Sequence, residues 1–171
     1  GQIERALDLL VKAERPLLYV GGGVVLSDAY RELKRFAERF RVPVTMTLMG
    51  LGGFPGEHPL SLGMLGMHGT CRANMAISNA DLVIAVGARF DDRVTGRIDK
   101  FAPHATIVHV DVDPTSISKN VVVDIPIVGD CKNALAKLVQ EFEAEPIEGL
   151  QEVRRPWLEQ IREWRETYPL A

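Results

Sequence analysis

Only two cysteines occur in the 171 residues, Cys71 and Cys131, and neither stands in a CxxC or Cys/His ligand spacing. That excludes a disulfide scaffold, a zinc finger and a dithiol redox motif, and leaves reduced thiols in a cytoplasmic protein as the expectation. No apolar run approaches the roughly 20 residues needed to cross a bilayer. The first residues, Gly1-Gln2-Ile3-Glu4-Arg5, do not read as a signal peptide. An excess of positive charge is also lacking. Lys and Arg number 20 against 23 Asp and Glu, a net charge of −3 with no dense basic block, so no general field for nucleic acid exists. There is no P-loop, no nucleophile elbow, no metal-ligand cluster and no persuasive acid–base pair. Such a sequence reads as a binding domain without chemistry of its own.

What is present is an alternation of helical and strand patterns, which predicts an α/β fold with a parallel sheet covered by helices on both faces. Helices are expected over residues 3–13, 28–40, 71–79 and 132–142, the second with Ser27 as its N-cap. Five strands are expected, over residues 17–20, 43–47, 80–86, 106–112 and 125–128. Residues 48–70, with many glycines and no sustained period, read as one long loop. Residues 144–149 have the composition of a linker. The stripe Leu150, Val153, Trp157, Leu158, Ile161 and Trp164 then marks an amphipathic helix, either a cover for this core or a docking seam for a missing partner.

The unusual residues gather at the ends of the expected strands, where open α/β sheets bind ligands. The first strand ends in Gly21-Gly22-Gly23, and the second in Thr47-Leu48-Met49-Gly50. The third runs into Gly87-Ala88-Arg89-Phe90-Asp91-Asp92-Arg93-Val94-Thr95-Gly96, the fourth ends in Asp111-Val112-Asp113-Pro114, and the fifth in Gly129-Asp130. Arginine pairs bidentately with phosphate, glycine admits close approach of the backbone, and carboxylates accept from ribose hydroxyls. Each feature also has a plain structural reading. The glycine triplet makes a tight strand-to-helix turn, Asp111 caps the turn at Asp113-Pro114, and Asp130 caps the last helix. Leu26 stands where the dinucleotide fingerprint would have its third glycine, and no acid ends the second strand, so ordinary NAD binding is disfavoured. Met67 and His68, between Gly66 and Gly69, offer an apolar contact and a ring for a flat ligand.

These strings, with Gly63-Met64-Leu65-Gly66-Met67-His68-Gly69-Thr70 and His109-Val110-Asp111-Val112-Asp113-Pro114, resemble the acetohydroxyacid (acetolactate) synthase catalytic subunits over roughly the first 140 residues. The resemblance is to the middle domain only. It implies a three-layer Rossmann-like fold of the DHS-like NAD/FAD-binding type, with residues 1–143 as a central FAD-binding domain. Residues 144–171 would lead to a further, thiamine-diphosphate-binding domain. It implies FAD contacts at Gly21, Gly22, Gly23, Thr47, Leu48, Leu65, Gly66, Met67, His68, Gly87, Ala88, Arg89, Phe90, Asp91, Asp111, Val112, Gly129 and Asp130. Asp92 and Arg93 would face a substrate channel. No catalytic residue and no metal ligand is expected in this chain. Thiamine diphosphate and Mg²⁺ would bind outer domains of the same polypeptide, and the family condenses pyruvate with a second 2-oxo acid in branched-chain amino acid synthesis. The resemblance also implies a homo-oligomer, with a small regulatory subunit as a further partner, and no synthase activity from this chain alone. Two other readings stand beside it: a nucleotide-dependent oxidoreductase domain and a scaffold domain that binds no ligand.

Overall fold

The computed structural model describes residues 1–65, 69–89, 102–116 and 123–168. Six strands form one parallel sheet: β1 (Pro16–Val20), β2 (Val44–Met46), β3 (Ser61–Met64), β4 (Leu82–Val86), β5 (Thr106–Asp111) and β6 (Ile125–Val128). Their spatial order is β3-β2-β1-β4-β5-β6. The chain therefore moves outward from β1 through β2 to β3, then returns to add β4 on the other side of β1. That reversal places a topological switch point between β1 and β4, with the crevice at their carboxyl ends.

Strand side chains alternate between two cores. Leu18, Val20, Ile84, Val86, Val108 and Val110 face one core, and Leu17, Tyr19, Val83, Ala85 and Ile107 the other. All five residues of β1 and of β4 are buried, as expected of parallel strands covered on both sides. The first core is closed by α1 (Gln2–Lys12), α3 (Tyr30–Phe40) and α5 (Cys131–Ala144). There Phe40 packs between Phe36 and Phe142, with ring centroids 4.8 Å from each. The second is closed by α4 (Cys71–Asn79) and α6 (Leu150–Thr167). This is the three-layer Rossmann-like α/β arrangement that the sequence pattern implied.

Three local expectations are corrected. Residues 48–70 are not one loop, because β3 pairs with β2 inside them. The edge strand escapes a pattern search because it is four residues long, breaks register once and holds Gly63 at φ +84°. Its pairing rests on main-chain bonds, Val44 N–H to the Leu60 carbonyl (2.7 Å) and Leu65 N–H to that of Met46 (3.0 Å), plus the Thr45 hydroxyl donating to Gly63 (2.8 Å). Ser27 is not the N-cap of the following helix. A short helix α2 (Gly22–Leu26) ends at Ser27, whose hydroxyl donates back to the Gly23 carbonyl at 2.8 Å, and α3 starts after Ala29. Finally, the last strand-following helix begins one residue earlier than expected, at Cys131.

The tryptophan-bearing helix lies against this domain. Trp157 and Ile161 are buried, the Trp157 indole N–H donates to the Pro16 carbonyl at 2.8 Å, and Trp164 meets Trp157 edge-on at 5.8 Å. Arg154, fully buried, donates to the carbonyls of Phe40 (3.1 Å), Leu10 (2.5 Å) and Ala13. Those carbonyls belong to the C-terminal ends of α3 and α1, where helix backbones leave acceptors unpaired and a cation is favoured.

Candidate functional site at the sheet's carboxyl edge

The loops after the strands are laced together by main-chain hydrogen bonds. Gly21 N–H donates to Val86, Gly23 N–H to Gly87, Gly87 N–H to Val110, Gly129 N–H to Asp111 and Thr47 N–H to Val20, at 2.8–3.0 Å. The glycines are what allow this. A Cβ on Gly21 would lie 2.5 Å from the Gly87 carbonyl oxygen, and one on Gly23 2.6 Å from the Gly87 Cα. Gly87 itself has φ +61°, and a Cβ on Gly50 would sit 2.4 Å from the Val20 carbonyl oxygen. Gly21, Gly23, Gly50 and Gly87 thus serve loop-against-loop packing at the switch point, the tight-turn reading of the triplet. Gly22 differs: among the described residues its amide makes no hydrogen bond to the protein, and a Cβ there would meet only Met49, at 3.2 Å.

Several polar candidates have structural partners. Thr47 caps a 3-10 turn (Leu48–Gly50) by accepting from the Gly50 amide at 3.2 Å. Asp130 caps α5 by accepting from Asn133 N–H at 3.2 Å. Asp111 Oδ1 accepts from Asp113 N–H at 2.9 Å, while its Oδ2 lies 3.6 Å from His109 Nε2. Arg89, three residues beyond the end of β4, is exposed, next to buried Ala88. Leu65 is buried beneath the β2 and β3 ends. The rim is apolar: Leu48, Met49, Val112 and Val128, at the ends of β2, β5 and β6, are 57–75% exposed. Apolar side chains left bare around a few polar groups are the composition of a ligand crevice. Gly66, Met67, His68, Phe90, Asp91, Asp92 and Arg93 lie outside the described residues.

His109 is the residue that reading by motif passed over. It is fully buried in β5, and its Nε2 lies 2.7 Å from the Ala88 carbonyl oxygen. Burial holds its pKa below the ordinary histidine value, against the opposing pull of the Ala88 hydrogen bond and the Asp111 charge. The signal in the sequence was a single imidazole between Val108 and Val110, in the otherwise apolar middle of β5. Both cysteines are free, Cys71 exposed and Cys131 buried, where burial pushes its thiol up to about 11. Among the described residues no group of three His, Cys, Asp or Glu could hold a metal ion, and no helix is long and apolar enough to cross a membrane.

Residues 3–138 match the family model described as thiamine pyrophosphate enzyme, central domain. The chain belongs to this family. Among its relatives, the acetolactate synthase isozyme 3 large subunit of Escherichia coli (strain K12) is 49% identical over 165 residues, which is 96% of this chain and 29% of that protein. The acetolactate synthase large subunit of Buchnera aphidicola subsp. Schizaphis graminum is 50% identical over 171 residues, 99% of this chain and 29% of its own length. A probable acetolactate synthase large subunit of Methanocaldococcus jannaschii is 52% identical over 162 residues, 95% of this chain and 27% of the other. This central domain therefore spans less than a third of the relatives it matches.

Proposed function

We propose that this central domain is the FAD-binding middle part of an acetolactate synthase large subunit. The observation that carries the proposal is a β1/β4 switch point, laced by glycine backbones and rimmed by bare apolar side chains, in a chain about half identical to such subunits along nearly its whole length.

The crevice suits a phosphate-bearing dinucleotide. Gly22 offers an amide without a partner in the protein among the described residues, and Arg89 offers an exposed guanidinium for a pyrophosphate. Asp111 Oδ2, which takes no part in the bond its Oδ1 accepts, would accept from a ribose hydroxyl. Leu48, Met49 and Val112 supply apolar surface for flat rings. Thr47 and Asp130, whose side-chain oxygens cap local turns, would contribute through backbone and shape more than through those oxygens. Met67 and His68 would lie near the flavin, Phe90 and Asp91 would complete the loop after β4, and Asp92 and Arg93 would face the substrate channel. FAD, when bound, would supply a rigid planar wall with no net redox chemistry. In the whole enzyme thiamine diphosphate and Mg²⁺, held by outer domains, would carry the condensation of pyruvate with pyruvate or 2-oxobutyrate. A homo-oligomer, a small regulatory subunit and a cytoplasmic setting belong to the same proposal.

The test is direct. The purified chain is mixed with FAD, desalted and its absorption spectrum recorded, and acetolactate formation from pyruvate is assayed in parallel. Retained flavin absorbance without synthase activity is the expected result. NAD retained in place of FAD would favour an oxidoreductase domain, retention of neither would favour a scaffold, and acetolactate production would overturn the assignment of all chemistry to other domains.

A further inference from the structure

We infer that His109 is a positioning residue that presets the Ala88–Arg89 peptide as an anion donor at the crevice. The inference rests on the dinucleotide-binding reading above and gives one of its contacts a mechanical origin.

The geometry begins with register. His109 of β5 lies opposite Ala85 of β4, a residue small enough to let the imidazole reach along the strand end. Its Nε2 comes to 2.7 Å from the Ala88 carbonyl oxygen. A carbonyl only accepts, so Nε2 must carry the proton, and in a neutral ring that fixes the tautomer. The Asp111 carboxylate, 3.6 Å from the same nitrogen, is the charged group nearest the ring among the described residues, and its field favours an N–H there. With the ring fully buried, the Ala88 carbonyl is held inward. A trans peptide is planar, with C=O and N–H pointing in opposite directions. Holding the Ala88 oxygen toward the core therefore turns the Arg89 N–H away from it, in a residue that is itself exposed. Gly87, at φ +61°, is the turn that brings the peptide into this position. A donor fixed before the ligand arrives loses no orientational freedom on binding.

The experiment uses the 171-residue chain as wild type, His109→Met and His109→Gln. Met matches the length of Gln without a donor, whereas Gln returns an N–H near the place of Nε2. FAD affinity is measured by quenching of flavin fluorescence, thermal unfolding is followed for each protein, and the wild-type ring tautomer is read from imidazole ¹⁵N chemical shifts at pH 7 without ligand. Expected are a ~10-fold loss of affinity in His109→Met, the worth of one oriented hydrogen bond to an anion, and recovery to within about 3-fold of wild type in His109→Gln. The ring is expected as the Nε2–H tautomer. A folded His109→Met that binds FAD as tightly as wild type, or a folded His109→Gln as weak as His109→Met, overturns the inference. If wild type takes up no FAD, the flavin reading falls by itself and the ring decides. Nε2–H then supports the preset peptide, and Nδ1–H overturns it.

Discussion

Replacing Arg154 by Met should cost this domain about 3–4 kcal/mol of stability, although residue 154 is remote in sequence from every strand. The guanidinium is fully buried and, among the described residues, meets no carboxylate within ion-pair distance; its partners there are three main-chain carbonyls, of Leu10, Ala13 and Phe40. Met fills most of the volume and donates nothing. Each carbonyl left buried without a donor costs about 1–3 kcal/mol. Loss of a cation from two helix C-termini adds up to ~2 kcal/mol where the site is dry. Against this, the folded chain no longer has to strip water from a charged group, which offsets several kcal/mol. The same desolvation holds the Arg154 pKa down at about 10, so the residue is still charged near neutral pH. A net loss of about 3–4 kcal/mol from a total of roughly 5–15 would lower the melting temperature by about 10 °C in a domain of this size. Thermal melts followed by circular dichroism, with urea titrations to separate stability from the m-value, measure it. Arg154→Lys, with three donors on a shorter reach, should recover about half of the loss. If Arg154→Met melts within ~3 °C of wild type, the three bonds contribute no net stability and the view of Arg154 as a staple between helices is wrong.

Two further outcomes follow from other residues. Gly21→Ala places a Cβ 2.5 Å from the Gly87 carbonyl oxygen and should destabilise by about 2 kcal/mol or more while abolishing FAD uptake; Gly129→Ala, with nothing within 4 Å, should melt within ~2 °C of wild type. Because burial lowers the His109 pKa, the unfolded chain takes up a proton near pH 6.5 that the folded chain still refuses. The stabilisation is therefore complete above about pH 6.5 and is lost as pH falls from there toward the lower folded value. Urea titrations between pH 7.5 and 5 should show wild type losing stability relative to His109→Gln across that window, and parallel curves would refute the assignment.

The sheet was most legible in the sequence where strands were buried on both faces, because β1 and β4 are continuous apolar runs of five residues that no amphipathic helix resembles, while β5 keeps Ile107, Val108 and Val110 around its one imidazole. β3 was not legible, since its place is specified by partners 17–18 residues away, Val44 and Thr45, more than by its own residues. α2 was hidden for a related reason. Gly21-Gly22-Gly23 has poor helix propensity, and the turn forms because Gly23 bonds to Gly87 across the switch point. At the candidate site, the clustering of special residues at strand ends was readable from spacing alone. The division of labour among them was not. Whether a glycine admits a phosphate or a neighbouring backbone depends on strand order, and that order becomes visible only when β4 lies beside β1.

The two ends of the sheet are built by different means, and this bears on how one of them can serve a ligand. At the amino end, side chains carry the joining: Arg154 ties α6 to α1 and α3, and Trp157 ties it to Pro16, where β1 begins. At the carboxyl end the joining is mostly main chain, through Gly21, Gly23, Gly87 and Gly129. Backbone lacing without Cβ atoms keeps those loops close and fixed while consuming few side chains. Arg89, Leu48, Met49 and Val112 consequently stay bare, and Gly22 retains an amide outside the lacing. His109 is a side-chain fastening at the same end, and it acts on a main-chain atom from inside the core, leaving the outer surface clear. A site made this way binds through preset backbone donors and loose apolar contacts. Substitutions beneath it, at Gly21 or His109, should therefore weaken ligand more than substitutions of the exposed rim.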